Sequence, residues 1–291
     1  MIGVFDSGYG GLTILDSIRH ELPEYDFLYL GDNARAPYGT RSFEVIYQYT
    51  LQAVQYLLRS GCRLVILACN TASAKALRTI QQHDICPETH RVLGVIRPTV
   101  EAVPAVTKNG HIGILATPGT VSSGSYVLEL EKVFADVNKM QNFGTLHISQ
   151  QACTLWVPLI ESGEYLSEGS DWFVEKYLRE LLRQDPQIDT ILLACTHYPL
   201  LLPKIRQSLT RIRQENGNGR LPELVAQGDI VARSLRDYLS RHPEIENSCS
   251  KGGSCRFLTT ESADKFAASA SVFLQSPLFR ESPLAAEHIE L

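Results

Sequence analysis

The stretch "LVILACNTASA" at residues 64–74 returns in altered form as "TILLACTHYPL" at residues 190–200. Both are apolar, strand-like runs that break off at Ala-Cys and pass through polar residues toward a helix. Cys69 and Cys195 therefore hold equivalent places, 126 residues apart. A chain that builds one strand end twice is constrained to contain two related halves. The other landmarks agree. "MIGVFDSGYGG" at the start and "HIGILATPGT" at 111–120 are both short strands ending on polar, Gly-containing turns, offset by about 110 residues.

Between these landmarks strand and helix alternate. Strands are expected at 1–5, 25–32, 63–70 and 91–98, with helices from Gly8-Gly10-Gly11 to about Glu21, over 42–61 and over 72–82. A helix interrupted by Pro104 follows. The order restarts with strands at 111–120, 144–153 and 189–196 and helices at 122–134, 171–184 and 199–210. This alternation predicts an α/β fold of two pseudo-symmetric α/β domains, with mostly parallel sheets facing across a cleft. The halves are 1–97 and 98–209. The remainder, 210–291, opens on the polar turn "RQENGNGRLPE" and offers one strand–helix pair around "RFLTT" and "ADKFAASASVFL". It is too short for a third domain and is expected to rejoin the first, so the domains are 1–97 plus 210–291, and 98–209. The last dozen residues are expected to be poorly ordered.

Composition narrows the partners. The chain has 291 residues, 44% apolar and 20% charged, with a net charge of −5 and its 27 basic residues scattered. No basic patch for nucleic acid or an anionic membrane is expected. No apolar run approaches the ~20 residues of a membrane span, and the N-terminus does not read as a secretory signal. Seven cysteines, odd in number and widely spread, point to free thiols in a reducing cytoplasm.

In open parallel sheets ligands bind at the carboxyl ends of strands. The polar residues gather there: Asp6-Ser7, Cys69-Asn70-Thr71, Thr117 with Thr120, and Cys195-Thr196-His197. A lone cysteine ending an apolar strand is ordinarily a small core residue. Its repetition beside polar neighbours favours a second reading, in which two thiols flank one substrate. One thiolate takes a hydrogen from one face of a carbon and the other thiol delivers a proton to the opposite face. No C-x-x-C spacing occurs, and only His242 accompanies Cys249 and Cys255, so no metal is expected. Cys62, Cys86 and Cys153 read as structural. His197, two residues beyond Cys195, can support a thiolate. Asp6 can act as a proton relay for Cys69, although a carboxylate disfavours a second negative charge beside it. "DSGYGG" is neither G-x-G-x-x-G nor a P-loop, so no nucleotide is expected. "APYGTRS" can line the same pocket, and Glu161 in "VPLIESGEY" is a third ionisable candidate.

"FDSGYGG", "APYGTRS", "ACNTAS", "GTVSSGSY", "VPLIE" and "LACTHYPLL" together resemble, in order and spacing, the motifs of the cofactor-independent glutamate racemases of the aspartate/glutamate racemase superfamily, over roughly residues 2–275. The resemblance implies an isomerase that interconverts L- and D-glutamate without a cofactor, for peptidoglycan, and that is commonly a homodimer. It implies Cys69 and Cys195 as the proton donor–acceptor pair, assisted by Asp6, His197 and Glu161. It implies that substrate is held by Asp6, Ser7, Tyr38, Gly39, Asn70, Thr71, Thr117, Thr120, Thr196 and His197. The chain departs from the family at Arg97 and Thr99, where an acid and a glycine are frequent. Two other readings remain open: racemisation or decarboxylation of another small carboxylate on the same scaffold, and a non-catalytic small-molecule binding protein.

Overall fold

The computed structural model describes residues 1–141, 145–215, 220–274 and 285–291. The chain opens with β1 (Ile2–Asp6), α1 (Gly11–Glu21), β2 (Phe27–Gly31), α2 (Phe43–Arg59), β3 (Leu64–Leu67), α3 (Asn70–Lys75), α4 (Leu77–His83) and β4 (Arg91–Gly94). It continues with α5 (Ile96–Ala102), β5 (His111–Ala116), α6 (Pro118–Ser123), α7 (Ser125–Gln141), β6 (His147–Ala152), α8 (Trp156–Glu161), α9 (Glu168–Gln184), β7 (Thr190–Ala194), α10 (Leu202–Glu215) and β8 (Glu223–Val225). It closes with α11 (Gly228–Arg241), α12 (Pro243–Glu246), β9 (Cys255–Thr259), α13 (Ala263–Phe273) and β10 (Ala286–His288).

Two units result: Met1–Val95 with Gly228–Leu291, and Ile96–Gln227. The first carries a six-stranded sheet ordered β10-β9-β2-β1-β3-β4, the second a four-stranded sheet ordered β6-β5-β7-β8. Among the described residues all eight strand pairings are parallel. The order β6-β5-β7-β8 reproduces β2-β1-β3-β4 position for position, so the internal repeat read from the sequence is a repeat of topology. In each copy the strand order reverses between the first and third strands, the place where open α/β sheets bind ligands.

Burial on both faces explains why these strands read as continuous apolar runs rather than alternating ones. Every residue of β1, β2, β3 and β7 is buried. Around β1 and β3, Phe5, Leu30, Val54, Leu57, Val65 and Leu67 form part of one core; burying each such side chain contributes roughly 1.5–3 kcal/mol. In the second unit, Val174, Leu178 and Leu181 give α9 one buried stripe at helical spacing.

Several expectations shift. The boundary expected at 209/210 falls at 227/228, because β8 pairs with β7 and keeps residues 210–227 in the second unit. The strand expected over 91–98 stops at Gly94, and Pro98 lies in the first turn of α5, where its missing N–H costs nothing. The helix expected over 122–134 is two, α6 and α7, divided at Gly124, whose φ of +66° is left-handed and suits glycine. The helix expected over 72–82 is also two, beginning at Asn70. The last dozen residues, expected to be poorly ordered, lie partly outside the described residues; of those described, Ala286–His288 pair with β9. The centre of the polar turn expected at 213–223 lies outside the described residues. Among the described residues no helix is long and apolar enough to cross a membrane.

Candidate active site

In the first unit the repeated strand end is Cys69, two residues beyond β3. β1 and β3 pair from Ile2–Leu64 to Phe5–Leu67, and the Ala68 amide donates to the Phe5 carbonyl at 2.8 Å. That register brings Ser7 beside Cys69, with Ser7 Oγ 3.2 Å from Sγ. Sγ also caps α3 by accepting from the Ala72 amide at 3.5 Å. Asn70 and Thr71 open α3 and are buried. Asp6, 1% exposed, ends β1 and accepts from the Gly8 amide at 2.9 Å. The Tyr29 hydroxyl holds the same turn through the Gly8 carbonyl at 3.1 Å.

Gly11 is required by this close approach, because a Cβ there would stand 2.4 Å from Asp6 Cβ and 3.0 Å from Ala68 Cβ. Gly11→Ala is expected to lower stability by about 1–3 kcal/mol through overpacking, and to displace Asp6. A chemical-denaturation midpoint equal to that of the native chain would show that the turn relaxes freely.

Tyr38 is buried, with its ring in the core that includes Cys69, and Gly39 is half-buried. The Tyr38 hydroxyl donates to Asp32. Burial and the Asp32 carboxylate push this phenol well above its ordinary range.

In the second unit the pairing of β5 with β7 runs through Ala116–Ala194, so Thr117 and Cys195 leave neighbouring strand ends. Thr117 caps α6 by accepting from the Thr120 amide at 3.4 Å, and the two hydroxyl oxygens lie 3.1 Å apart. Thr196 and His197 are buried. His197 Nδ1 is 3.8 Å from Cys195 Sγ, and Nε2 is 2.9 Å from Glu161 Oε1. Glu161 ends α8, which is anchored by Trp156: its indole donates to the Phe173 carbonyl at 3.3 Å and its ring meets Tyr198 edge-on at 4.7 Å. Burial favours a neutral His197 ring, but its hydrogen bonds and electrostatic interaction with Cys195 and Glu161 outweigh it and push the imidazole up to about 10. His197 is thus a cation at neutral pH.

The repeat makes the two strand ends comparable residue by residue. Cys69-Asn70-Thr71 matches Cys195-Thr196-His197, and Asp6-Ser7 matches Ala116-Thr117. The neighbouring groups therefore differ in kind: the Ser7 hydroxyl stands beside Cys69, with the Asp6 carboxyl preceding it, and an imidazole stands beside Cys195. An adjacent cation stabilises a thiolate and an adjacent carboxylate stabilises the neutral thiol.

The remaining cysteines divide. Burial raises the Cys62 thiol to about 11 and the Cys153 thiol well above its ordinary range, as suits inert core residues. Cys86 is a correction to the structural reading: it is exposed and donates to Glu88 at 2.8 Å. Among the described residues no three His, Cys, Asp or Glu side chains group as metal ligands. Sequence reasoning missed two buried groups beside these strand ends. One centres on Asp32. The other is Gln227, whose amide donates to Thr99 Oγ1 at 2.9 Å and to the Tyr126 hydroxyl at 3.0 Å. A polar residue directly after an apolar strand, as in "YLGD" and "LVAQG", is the signal both offered.

Two copies of one parallel α/β unit, each with a thiol at the strand end where such sheets take ligands, define an enzyme scaffold for acid–base work on a small molecule. The profile of the family described as Asp/Glu/Hydantoin racemase matches residues 12–214. The chain is 38% identical to a glutamate racemase of Ruegeria sp. (strain TM1040), over 97% of this chain and 99% of that one. It is also 38% identical to a glutamate racemase of Paracoccus denitrificans, with 97% and 99% covered. Among solved structures it is similar to a glutamate racemase isoform of Bacillus anthracis, with a TM-score of 0.81, 29% identity and 100% and 97% covered. A glutamate racemase of Francisella tularensis, solved in complex with D-glutamate, gives a TM-score of 0.79 at 29% identity, with 100% and 96% covered. The chain belongs to the Asp/Glu/hydantoin racemase family.

Proposed function

We propose that the protein is a glutamate racemase that inverts the α-carbon by proton transfer between two cysteines. The observation that carries this reading is the duplicated strand end, with a thiol in each unit, Ser7 beside Cys69 and His197 beside Cys195. In one direction the Cys195 thiolate removes the α-proton from one face: the Cα–H bond breaks and an S–H bond forms. The Cys69 thiol then donates its proton to the opposite face, giving the other enantiomer and a Cys69 thiolate. The reverse reaction exchanges the roles. One proton leaves and one arrives, so no electron carrier enters the balance.

The α-hydrogen is a weak acid, and charge developing on the carbanion and carboxylate must meet preorganised donors. Ser7, Asn70, Thr71, Thr117, Thr120 and Thr196 supply hydroxyl, amide and backbone donors at the strand ends, and Tyr38-Gly39 supply loop backbone. Asp6 relays the Cys69 proton. His197, oriented by Glu161, supports the Cys195 thiolate. D-glutamate made in this way feeds peptidoglycan synthesis, with the enzyme acting in the cytoplasm as a homodimer.

The test is purified protein with L-glutamate in deuterium oxide and no added cofactor, alongside L-aspartate as a competing substrate. Loss of optical rotation with Cα deuteration of glutamate is the expected result. Deuteration of aspartate alone would move the assignment to another small carboxylate, and no exchange with either would leave a binding protein.

A further inference from the structure

We propose that Asp32, which contacts no substrate in the scheme above, is the positioning residue that holds the Tyr38-Gly39 loop in its binding geometry; the inference rests on the glutamate racemase reading. Asp32 follows β2 and is fully buried. A buried carboxylate persists only where its oxygens are satisfied. Those of Asp32 accept from Arg35 Nε at 2.9 and 2.7 Å, from Thr260 Oγ1 at 2.9 Å and from the Tyr38 hydroxyl. Its own amide donates to the Asp6 carbonyl at 2.9 Å. One residue thereby ties three segments together: the end of β1 that carries Asp6, the loop that carries Tyr38 and Gly39, and the turn after β9.

The surroundings make the node stiff. The Arg35 guanidinium lies 4.1 Å above the Tyr49 ring and donates to Gln52 Oε1 at 2.6 Å. The Tyr49 ring packs 5.8 Å from that of Tyr38, and Phe5 packs on Tyr38 at 6.3 Å. Thr260 Oγ1 also accepts from the Ala34 amide at 3.1 Å, and Thr259 Oγ1 donates to Asn33 Oδ1 at 2.9 Å. The C-terminal return segment thus acts on the loop through two threonine hydroxyls, one of them on Asp32 itself. Because the Tyr38 hydroxyl is committed to Asp32, the loop can offer substrate its backbone while the phenol serves as a tether.

The experiment is steady-state racemisation by Asp32→Asn, Tyr38→Phe and the double variant, with thermal unfolding of each. Loss of the tether loosens a binding loop while leaving the thiols in place. The expected result is a KM for glutamate raised about tenfold or more in each single variant, with kcat within about threefold of native. The double variant is expected to be no worse than the weaker single, since both remove the same bond. Asp32→Asn leaves Arg35 without its ion partner, so Tyr38→Phe, which keeps the ring, decides the matter if Asp32→Asn fails to fold. A native KM in Tyr38→Phe, or parallel losses in kcat and folded fraction with KM unchanged, would overturn the inference while native activity leaves the racemase reading intact. Failure of the native chain to racemise glutamate overturns both.

Discussion

Replacing either Cys69 or Cys195 with alanine is expected to lower glutamate racemisation by about 10³-fold or more, in both directions, with the fold retained. In the proposed scheme each thiol is a base in one direction and an acid in the other, so neither direction survives the loss of one. Proton transfer by a positioned group is worth about 10²–10⁴-fold. Here the lost group has no stand-in, since burial holds Cys153, the nearest other thiol on the Cys195 side, in its neutral form. The structural effect is small by comparison. Both cysteines are 6% exposed and lie just beyond the ends of β3 and β7. Losing one sulfur there removes a small buried group, at about 1 kcal/mol. The measurement is initial rate from L- and from D-glutamate, with circular dichroism of each variant. A folded variant that keeps a tenth of native activity would sink the two-thiol scheme.

The second large effect belongs to the pair His197 and Glu161. The His197 pKa is raised to about 10 from an ordinary 6.5, so its imidazolium stabilises the folded state. That contribution is fully present below about 6.5 and is lost as pH climbs through about 10. Thermal stability is therefore expected to fall between those limits, with the slope flattened in His197→Asn. Activity follows the same proton. The alkaline limb of kcat/KM is expected to reflect loss of the imidazolium, and Glu161→Gln, which removes the carboxylate at 2.9 Å, to move that limb toward neutrality by about one unit. His197→Asn is expected to cost about 10²-fold in kcat at neutral pH. An unmoved alkaline limb in Glu161→Gln would show that Glu161 does not act through His197.

The asymmetry between the assisting groups bears on direction. Under the proposed two-thiol scheme, the imidazole beside Cys195 favours the second unit as the site of the base. Thr71 and His197 occupy the same place in the repeat, so a single position carries much of this difference. Asp6 has the reciprocal status, since its counterpart is Ala116.

Much of this was legible without coordinates because the signals are local. A strand buried on both faces writes itself as a short apolar run, and a turn announces itself in Gly, Asn, Thr and Ser. "LVILACN" and "TILLACT" therefore located both thiols, and the two Gly-containing turns located their neighbours. The parallel class followed from alternation alone. Less legible was everything decided by pairing across many residues. That residues 210–227 stay in the second unit depends on β8 pairing with β7, a three-residue strand with no pattern of its own. Glu161 stood in the sequence as an acid at a helix end, and only the anchoring of α8 through Trp156 on Phe173 and Tyr198 brought it to His197.

What the sequence by itself determined, then, was where chemistry could occur: two strand ends with Cys69 and Cys195, the polar residues beside them, and the doubled α/β framework. Those choices are made by hydrophobic runs and turn residues acting on their immediate neighbours. The tertiary structure alone decided which groups stand beside Cys195 and its histidine and which hold the Tyr38-Gly39 loop. Asp32 with Thr260, Glu161 with His197 and Gln227 with Thr99 join residues 228, 36 and 128 positions apart. Such partners meet because folded sheets and helices bring them into register, and a buried charge or amide is stable only where that meeting occurs.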